Sequence, residues 1–332
     1  MLNPRNEDVM SLQYGEREIM IRHNVSPVQN PFLDKMLELS LQTQEEVCRE
    51  TSRIDGTAFR VFASSGEGGN GRYTSRFQVA LLENSRVFEK ASFVVSNNWG
   101  RFSRATEQTA REGAAEKEYH FRATGFSMVF HPCHPKIPST RIHYHMIQRE
   151  DGYYWFSGGG DLTPYYVFPE DCQHFHRTHK QPCDQYLGAG WYQRMKEASD
   201  AYFAVRHRGH IRGVGGTFFD DLSEHGFGKD RRPTGLTKAQ LFAFVEASCR
   251  IINPAYNTLA EKRQHEPFTP DNVRFMELLR GHIIIKRCVR YDRSMRSSTR
   301  SGRPTALRIC ASTSFLRSLP VRCSASRSTR PW

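Results

Sequence analysis

The chain has 332 residues, 38% hydrophobic and 25% charged, with a formal net charge of +12. That composition fits one large globular domain or two small ones, and no apolar run approaches the roughly 20 residues a membrane-spanning helix needs. The charge suggests nucleic acid until it is located: residues 281–332 hold 12 Lys+Arg against the single acid Asp292, which leaves 35 Lys+Arg and 34 Asp+Glu in residues 1–280. The body of the chain is nearly neutral, and nucleic-acid binding is not expected of it.

In chain order, residues 1–22 carry Glu7, Asp8, Glu16 and Glu18, so a signal or transit peptide is not expected and a cytoplasmic location is. Helical spacing runs from Asn30 to Ile54 through Phe32, Met36, Leu39 and Val47. Gly66 to Gly71 reads as a flexible connection, without the G-x-x-x-x-G-K-[ST] pattern of a phosphate-binding loop. Strands are expected at Phe77–Leu82, Ala91–Ser96, Phe126–Phe130, Ile142–Gln148, Tyr153–Phe156 and Val214–Phe219, which are rich in Val, Phe and Tyr. The early strands follow one another without long helices between them, which favours antiparallel pairing. Helices are expected at Thr106–Tyr119, Pro169–Tyr186, Gly190–His207, Lys238–Gln264 and Pro270–Leu279. Sheet plus long helices predicts an α+β fold. The domain is placed at residues 1–280. The Arg/Ser-rich residues 281–332, which lack an apolar period, are expected to form an atypical disordered tail. The eight cysteines form no C-x-x-C pair, so reduced thiols are expected rather than a zinc ribbon or a redox dithiol.

Histidines gather in the middle of the chain: His131, His134, His143, His145, His174, His176, His179, His207 and His210. On a strand, Arg141, His143 and His145 alternate onto one face. Imidazole suits both proton transfer near neutral pH and metal ligation, and those readings stay open from the residues alone. Asp161 follows three glycines. Glycines there would let a bulky ligand approach the backbone, while the bland reading is a turn aspartate bonded to its own backbone. Asp220-Asp221 reads equally as a helix cap.

Together these segments resemble the oxygen-dependent coproporphyrinogen-III oxidases. The likeness is carried by Val87-Phe88-Glu89-Lys90-Ala91, Gly125-Phe126-Ser127, His131-Pro132, Gly158-Gly159-Gly160-Asp161-Leu162-Thr163-Pro164, His174-Phe175-His176-Arg177-Thr178, Arg212 to Leu222 and Phe268-Thr269-Pro270. Order and spacing are kept from about Leu33 to Arg280. The resemblance implies a large flat antiparallel β-sheet sandwiched between α-helices, in a homodimer. It implies conversion of two propionates of coproporphyrinogen III to vinyl groups in porphyrin and haem synthesis, giving protoporphyrinogen IX. Molecular oxygen would be the co-substrate and no cofactor would be required, although bacterial members use a divalent metal such as manganese. Carried over by position, Ser127 matches a substrate-binding serine, His131, His176 and His207 the metal-site histidines, and Asp161 an aspartate facing the pyrrole nitrogens.

Two departures stand out. Where the family reads Pro-Thr-x-His-x-Asn-x-Arg, this chain reads Pro138-Ser139-Thr140-Arg141-Ile142-His143-Tyr144-His145. Without a gap, Arg141, His143 and His145 stand at the His, Asn and Arg positions; with a two-residue insertion, His143 takes the donor position. In either register His143 is the expected proton-transfer residue and His145 a substrate contact. After Arg280-Gly281 the family's later strand, helix and Gly-Gly-Arg turn cannot be found, and a frame change near residue 283 would account for the break. An impaired or inactive family member is therefore the alternative expectation.

Overall fold

A computed structural model describes residues 20–23, 25–68, 72–101, 118–205, 209–227 and 233–280. Helix α1 (Pro31–Asp55) starts where the side chain of Asn30 accepts the Phe32 amide at 2.8 Å, with Pro31 in the first turn. It stops at Gly56, whose φ of 84° is left-handed and whose N–H donates to the Ser52 carbonyl. Leu33, Met36, Leu37 and Leu39 form the buried stripe of that helix.

Six strands follow as a meander: β1 (Arg60–Gly68), β2 (Tyr73–Glu83), β3 (Phe88–Arg101), β4 (His120–Pro132), β5 (Ser139–Arg149) and β6 (Tyr154–Thr163). Helix α2 (Pro169–Pro182), one π-helical turn (Cys183–Leu187) and helix α3 (Trp191–Tyr202) come next. The short pair β7 (Ala204–Val205) and β8 (His210–Ile211) leads to β9 (Gly215–Leu222) and helix α4 (Lys238–Arg263); residues 270–280 are again helical. The sheet is seven-stranded and antiparallel throughout, in the order β1-β2-β3-β4-β5-β6-β9. This is the α+β architecture the sequence predicts.

One face of the sheet is the core. Phe93, Phe126, Met128, Phe130, Ile142, Tyr144, Phe156 and Phe219 pack there against α1, α2 and α4. Phe126 stacks on Phe93 at 4.8 Å, and Phe130 meets Tyr256 of α4 edge-on at 5.8 Å. Polar clamps fix the helices. Arg122, 1% exposed, donates to Asn97 at 3.0 Å and to Asp34 of α1 at 2.8 Å. Arg263 of α4 is held bidentately by Asp171 of α2, at 2.7 and 2.9 Å. Helix α3 packs on β9, the sheet edge opposite β1.

Four expectations change. Gly66 to Gly68 are not loop: they end β1 and pair with Tyr73, Thr74 and Ser75 of β2, a pairing that a glycine-rich sequence hides. The helix expected to reach His207 ends at Tyr202, where the chain turns into β7. Asp161 lies inside a strand rather than in a turn, and Asp220-Asp221 lie in β9 rather than at a helix start. The helix expected at Thr106–Tyr119 falls on 102–117, outside the described residues, apart from Tyr119 and Glu118, which are not helical. The tail expected at 281–332 is also outside them.

Candidate active site

The second face of the sheet carries the polar residues. Along β4 and β5, buried Phe126, Met128, Phe130, Ile142 and Tyr144 alternate with half-buried Ser127, Val129, His131, Arg141, His143 and His145. Register aligns them across strands: Ser127 opposes His143, Gly125 opposes His145, and Val129 opposes Arg141. On the other flank Arg141 opposes Asp161, His143 opposes Gly159, and His145 opposes Ser157. Strand alternation thus collects Ser127, His131, Arg141, His143, His145 and Asp161 on one surface, as expected for the β5 residues. The His143 and His145 rings lie 5.8 Å apart and 19° from parallel. Phe218 of β9 is 6.5 Å from His143 and stacks on Tyr202 at 4.5 Å, forming an aromatic wall beside the imidazoles.

Asp161 is 4% exposed, and its Oδ2 accepts a hydrogen bond from Nη2 of Arg212. The Arg212 guanidinium lies 4.0 Å from the centre of the Phe203 ring. A tight turn sets it there. Gly213 has a φ of 59° and a Cβ on it would collide with the Leu162 carbonyl, which accepts the Val214 amide at 3.0 Å. The pair neutralises a carboxylate that burial would otherwise leave uncompensated.

The glycines before Asp161 serve the sheet rather than a ligand. A Cβ on Gly158 would strike the Tyr144 ring on the core side. Gly159, with a φ of 139°, brings its backbone against the Thr217 carbonyl of β9. The expectation that they clear room for a bulky ligand is therefore replaced by close strand and core packing.

The family description "Coproporphyrinogen III oxidase" matches residues 35–329. The chain belongs to the coproporphyrinogen III oxidase family. It is similar to the mitochondrial oxygen-dependent coproporphyrinogen-III oxidase of Rattus norvegicus, 35% identical over 269 residues covering 78% of this chain and 57% of that protein. It is also similar to the chloroplastic one of Nicotiana tabacum, 31% identical over 299 residues covering 86% and 71%, and to that of Prochlorococcus marinus, 34% over 260 residues covering 74% and 72%. The chain spans little more than half the length of the mammalian relatives, 57% of the rat protein and 54% of the Homo sapiens one. No helix among the described residues is long and apolar enough to cross a membrane.

The histidines that the family resemblance assigns to a metal divide as follows. His131 holds Ser139 Oγ at 3.1 Å through Nδ1. Burial, reinforced by Arg280, Arg141 and Lys90, pushes its pKa down to about 4. His176 of α2 holds Tyr192 Oη of α3 at 2.7 Å through Nδ1, and burial followed by nearby Lys196 lowers its pKa. His207 lies outside the described residues. Among the described residues no three His, Cys, Asp or Glu side chains gather at one point. As they stand, the described residues do not form a divalent-metal site.

Arg212, Phe218 and Tyr202 join the site without having been singled out from sequence. Arg212 sits 51 positions from Asp161, and only the β6–β9 pairing brings the two together. An arginine followed by an obligate turn glycine, Arg212-Gly213, was the available signal.

Proposed function

We propose that this chain catalyses the oxygen-dependent oxidative decarboxylation of coproporphyrinogen III propionates to vinyl groups, giving protoporphyrinogen IX. For each arm, the propionate, one proton and one O2 give a vinyl group, carbon dioxide and hydrogen peroxide. The carbon–carboxylate bond breaks, a hydrogen leaves the neighbouring carbon, and two electrons pass to oxygen. The observation that carries the reading is the shared sheet face. A buried carboxylate, Asp161, lies directly across from Arg141, beside two imidazoles and an aromatic wall.

Each element suits part of a flat, apolar macrocycle with anionic arms. Asp161 accepts pyrrole N–H bonds and stabilises positive charge developing on the ring. Ser127, His145 and Arg141 bind substrate, the guanidinium taking a carboxylate arm. Proton transfer falls to His143. At the register position opposite Asp161 stands Arg141, a guanidinium that only donates hydrogen bonds, whereas the group next along the face, His143, is an imidazole, the side-chain type suited to proton transfer. No cofactor is required beyond oxygen. A slower enzyme than its relatives is the second reading, favoured by the presence of Arg141 on this strand.

A homodimer and a cytoplasmic location belong to the same proposal. Five cysteines among the described residues are free thiols, as suits a reducing compartment. Oxygen-electrode assays on coproporphyrinogen test the activity. The wild-type chain should consume oxygen, and Asp161→Asn and His143→Ala should each lower kcat by roughly 100-fold or more. Equal rates in all three proteins would refute the assignment of these residues.

A further inference from the structure

A second set of buried groups ends on the same face. Arg280 Nε donates to Tyr165 Oη at 2.6 Å, Tyr165 Oη meets Ser139 Oγ at 2.6 Å, and Ser139 Oγ meets His131 Nδ1 at 3.1 Å. Arg280 is itself anchored by the Glu89 carboxylate and the Pro132 carbonyl. Tyr165 and Ser139 are each 6% exposed.

Counting protons along this chain gives it a direction. A guanidinium only donates, so Tyr165 accepts from Arg280. The tyrosine has one proton of its own, and among the described residues Ser139 is the only other partner of its hydroxyl. Buried hydroxyls donate when an acceptor is in reach, so Tyr165 donates to Ser139. Ser139 then spends its proton on His131, whose Nδ1 must be a bare acceptor. The reverse order would leave the Tyr165 proton with no acceptor among the described residues. A neutral His131 accepting at Nδ1 carries its proton on Nε2, and Nε2 has no protein partner among the described residues.

We propose that Arg280, Tyr165 and Ser139 are positioning residues that fix His131 as an Nε2–H donor for one carboxylate arm of the substrate. The substrate half of this statement rests on the activity proposed for the chain. The charge around the ring suits an anion. Arg141, Arg280 and Lys90 all bear on it, and Lys90 is its cross-strand neighbour on β3. An N–H donor among cations is a carboxylate site. The same polarity opposes a metal on Nε2, which needs the lone pair there and would require the Ser139–His131 and Tyr165–Ser139 hydrogen bonds to reverse, leaving the Tyr165 proton without an acceptor among the described residues.

The test is nitrogen NMR on the full chain with isotope-labelled histidine, using His131→Gln to assign the signal. The wild-type protein should show His131 Nδ1 at the bare-imidazole position and Nε2 at the protonated one. Nδ1–H, or an averaged pair, overturns the relay, and this outcome needs no variant to fold. Ser139→Ala should average the two nitrogens, while Ser139→Thr, which keeps the hydroxyl, should preserve the wild-type pattern. An unchanged pattern in Ser139→Ala overturns the positioning role. With coproporphyrinogen, Ser139→Ala should raise KM on the order of tenfold, with kcat within about twofold, and Ser139→Thr should restore it. An unchanged KM overturns the carboxylate contact while leaving the relay intact. A wild-type chain without turnover removes the substrate half along with the activity, and the NMR result still decides the relay.

Discussion

Replacing Asp161 by alanine should cost stability as well as chemistry, and the two losses can be separated. In the Asp161–Arg212 pair the side chains are 6% and 12% exposed, so neither charge is screened by water to any large extent. Deleting one partner of such a pair leaves the other charge buried and uncompensated, which costs about 3–5 kcal/mol. At about 2 °C per kcal/mol for a chain of this size, the melting temperature should fall by roughly 6–10 °C. Differential scanning fluorimetry reads this directly. The double variant Asp161→Ala with Arg212→Met removes the stranded charge and should recover half or more of the loss. It should not recover turnover, because the carboxylate proposed to face the pyrroles is still missing. A single variant melting within about 2 °C of wild type, or a double variant that regains activity, would refute the reasoning.

Three further outcomes follow from particular residues. His179, on the core side beneath Gly160, has its pKa pushed down from 6.5 to about 3 by burial and, secondarily, by His176. Its folded pKa is depressed, so below pH 6.5 the unfolded state binds the extra proton and stability falls with acidification toward pH 3. In His179→Leu the slope of stability against pH between about 6 and 4 should flatten by up to about 1.4 kcal/mol per pH unit, as read by urea titrations; an unchanged slope would place the proton elsewhere. Gly159→Ala drives a Cβ into the Thr217 carbonyl at a φ of 139° and should destabilise the β6–β9 junction by about 3 kcal/mol. Wild-type melting of that variant would remove the close-approach explanation for the glycine. Treatment with a chelator should leave turnover within about twofold, and a loss restored by manganese would instead give His131 and His176 the metal role.

The sheet was readable because its central strands alternate Phe, Val and Tyr with polar residues, and that same alternation puts Arg141, His143 and His145 on one face. The extent of α1 was equally plain from the helical spacing of Phe32, Met36, Leu39 and Val47. What escaped depends on contacts made far along the chain. The strand ending Gly66-Glu67-Gly68 carries no apolar period and exists by pairing with β2. The glycines of Gly158 to Gly160 look like a ligand clearance until Tyr144 and Thr217 are seen against them. Arg212 gains its meaning only beside Asp161, and Tyr165 only between Ser139 and Arg280, the latter 115 positions away. Local sequence records which face a strand residue takes, but not which distant side chain will meet it there.

The most direct test of the central claim is mass spectrometry of the tetrapyrrole after incubation of coproporphyrinogen III with the full chain, in air and under nitrogen. In air, each of two propionate arms should lose one carbon dioxide and two hydrogens, with one oxygen consumed and one hydrogen peroxide formed per arm. Under nitrogen the substrate should be recovered unchanged. Intact propionates in air with the folded wild-type chain, or vinyl product formed without oxygen, would contradict the account.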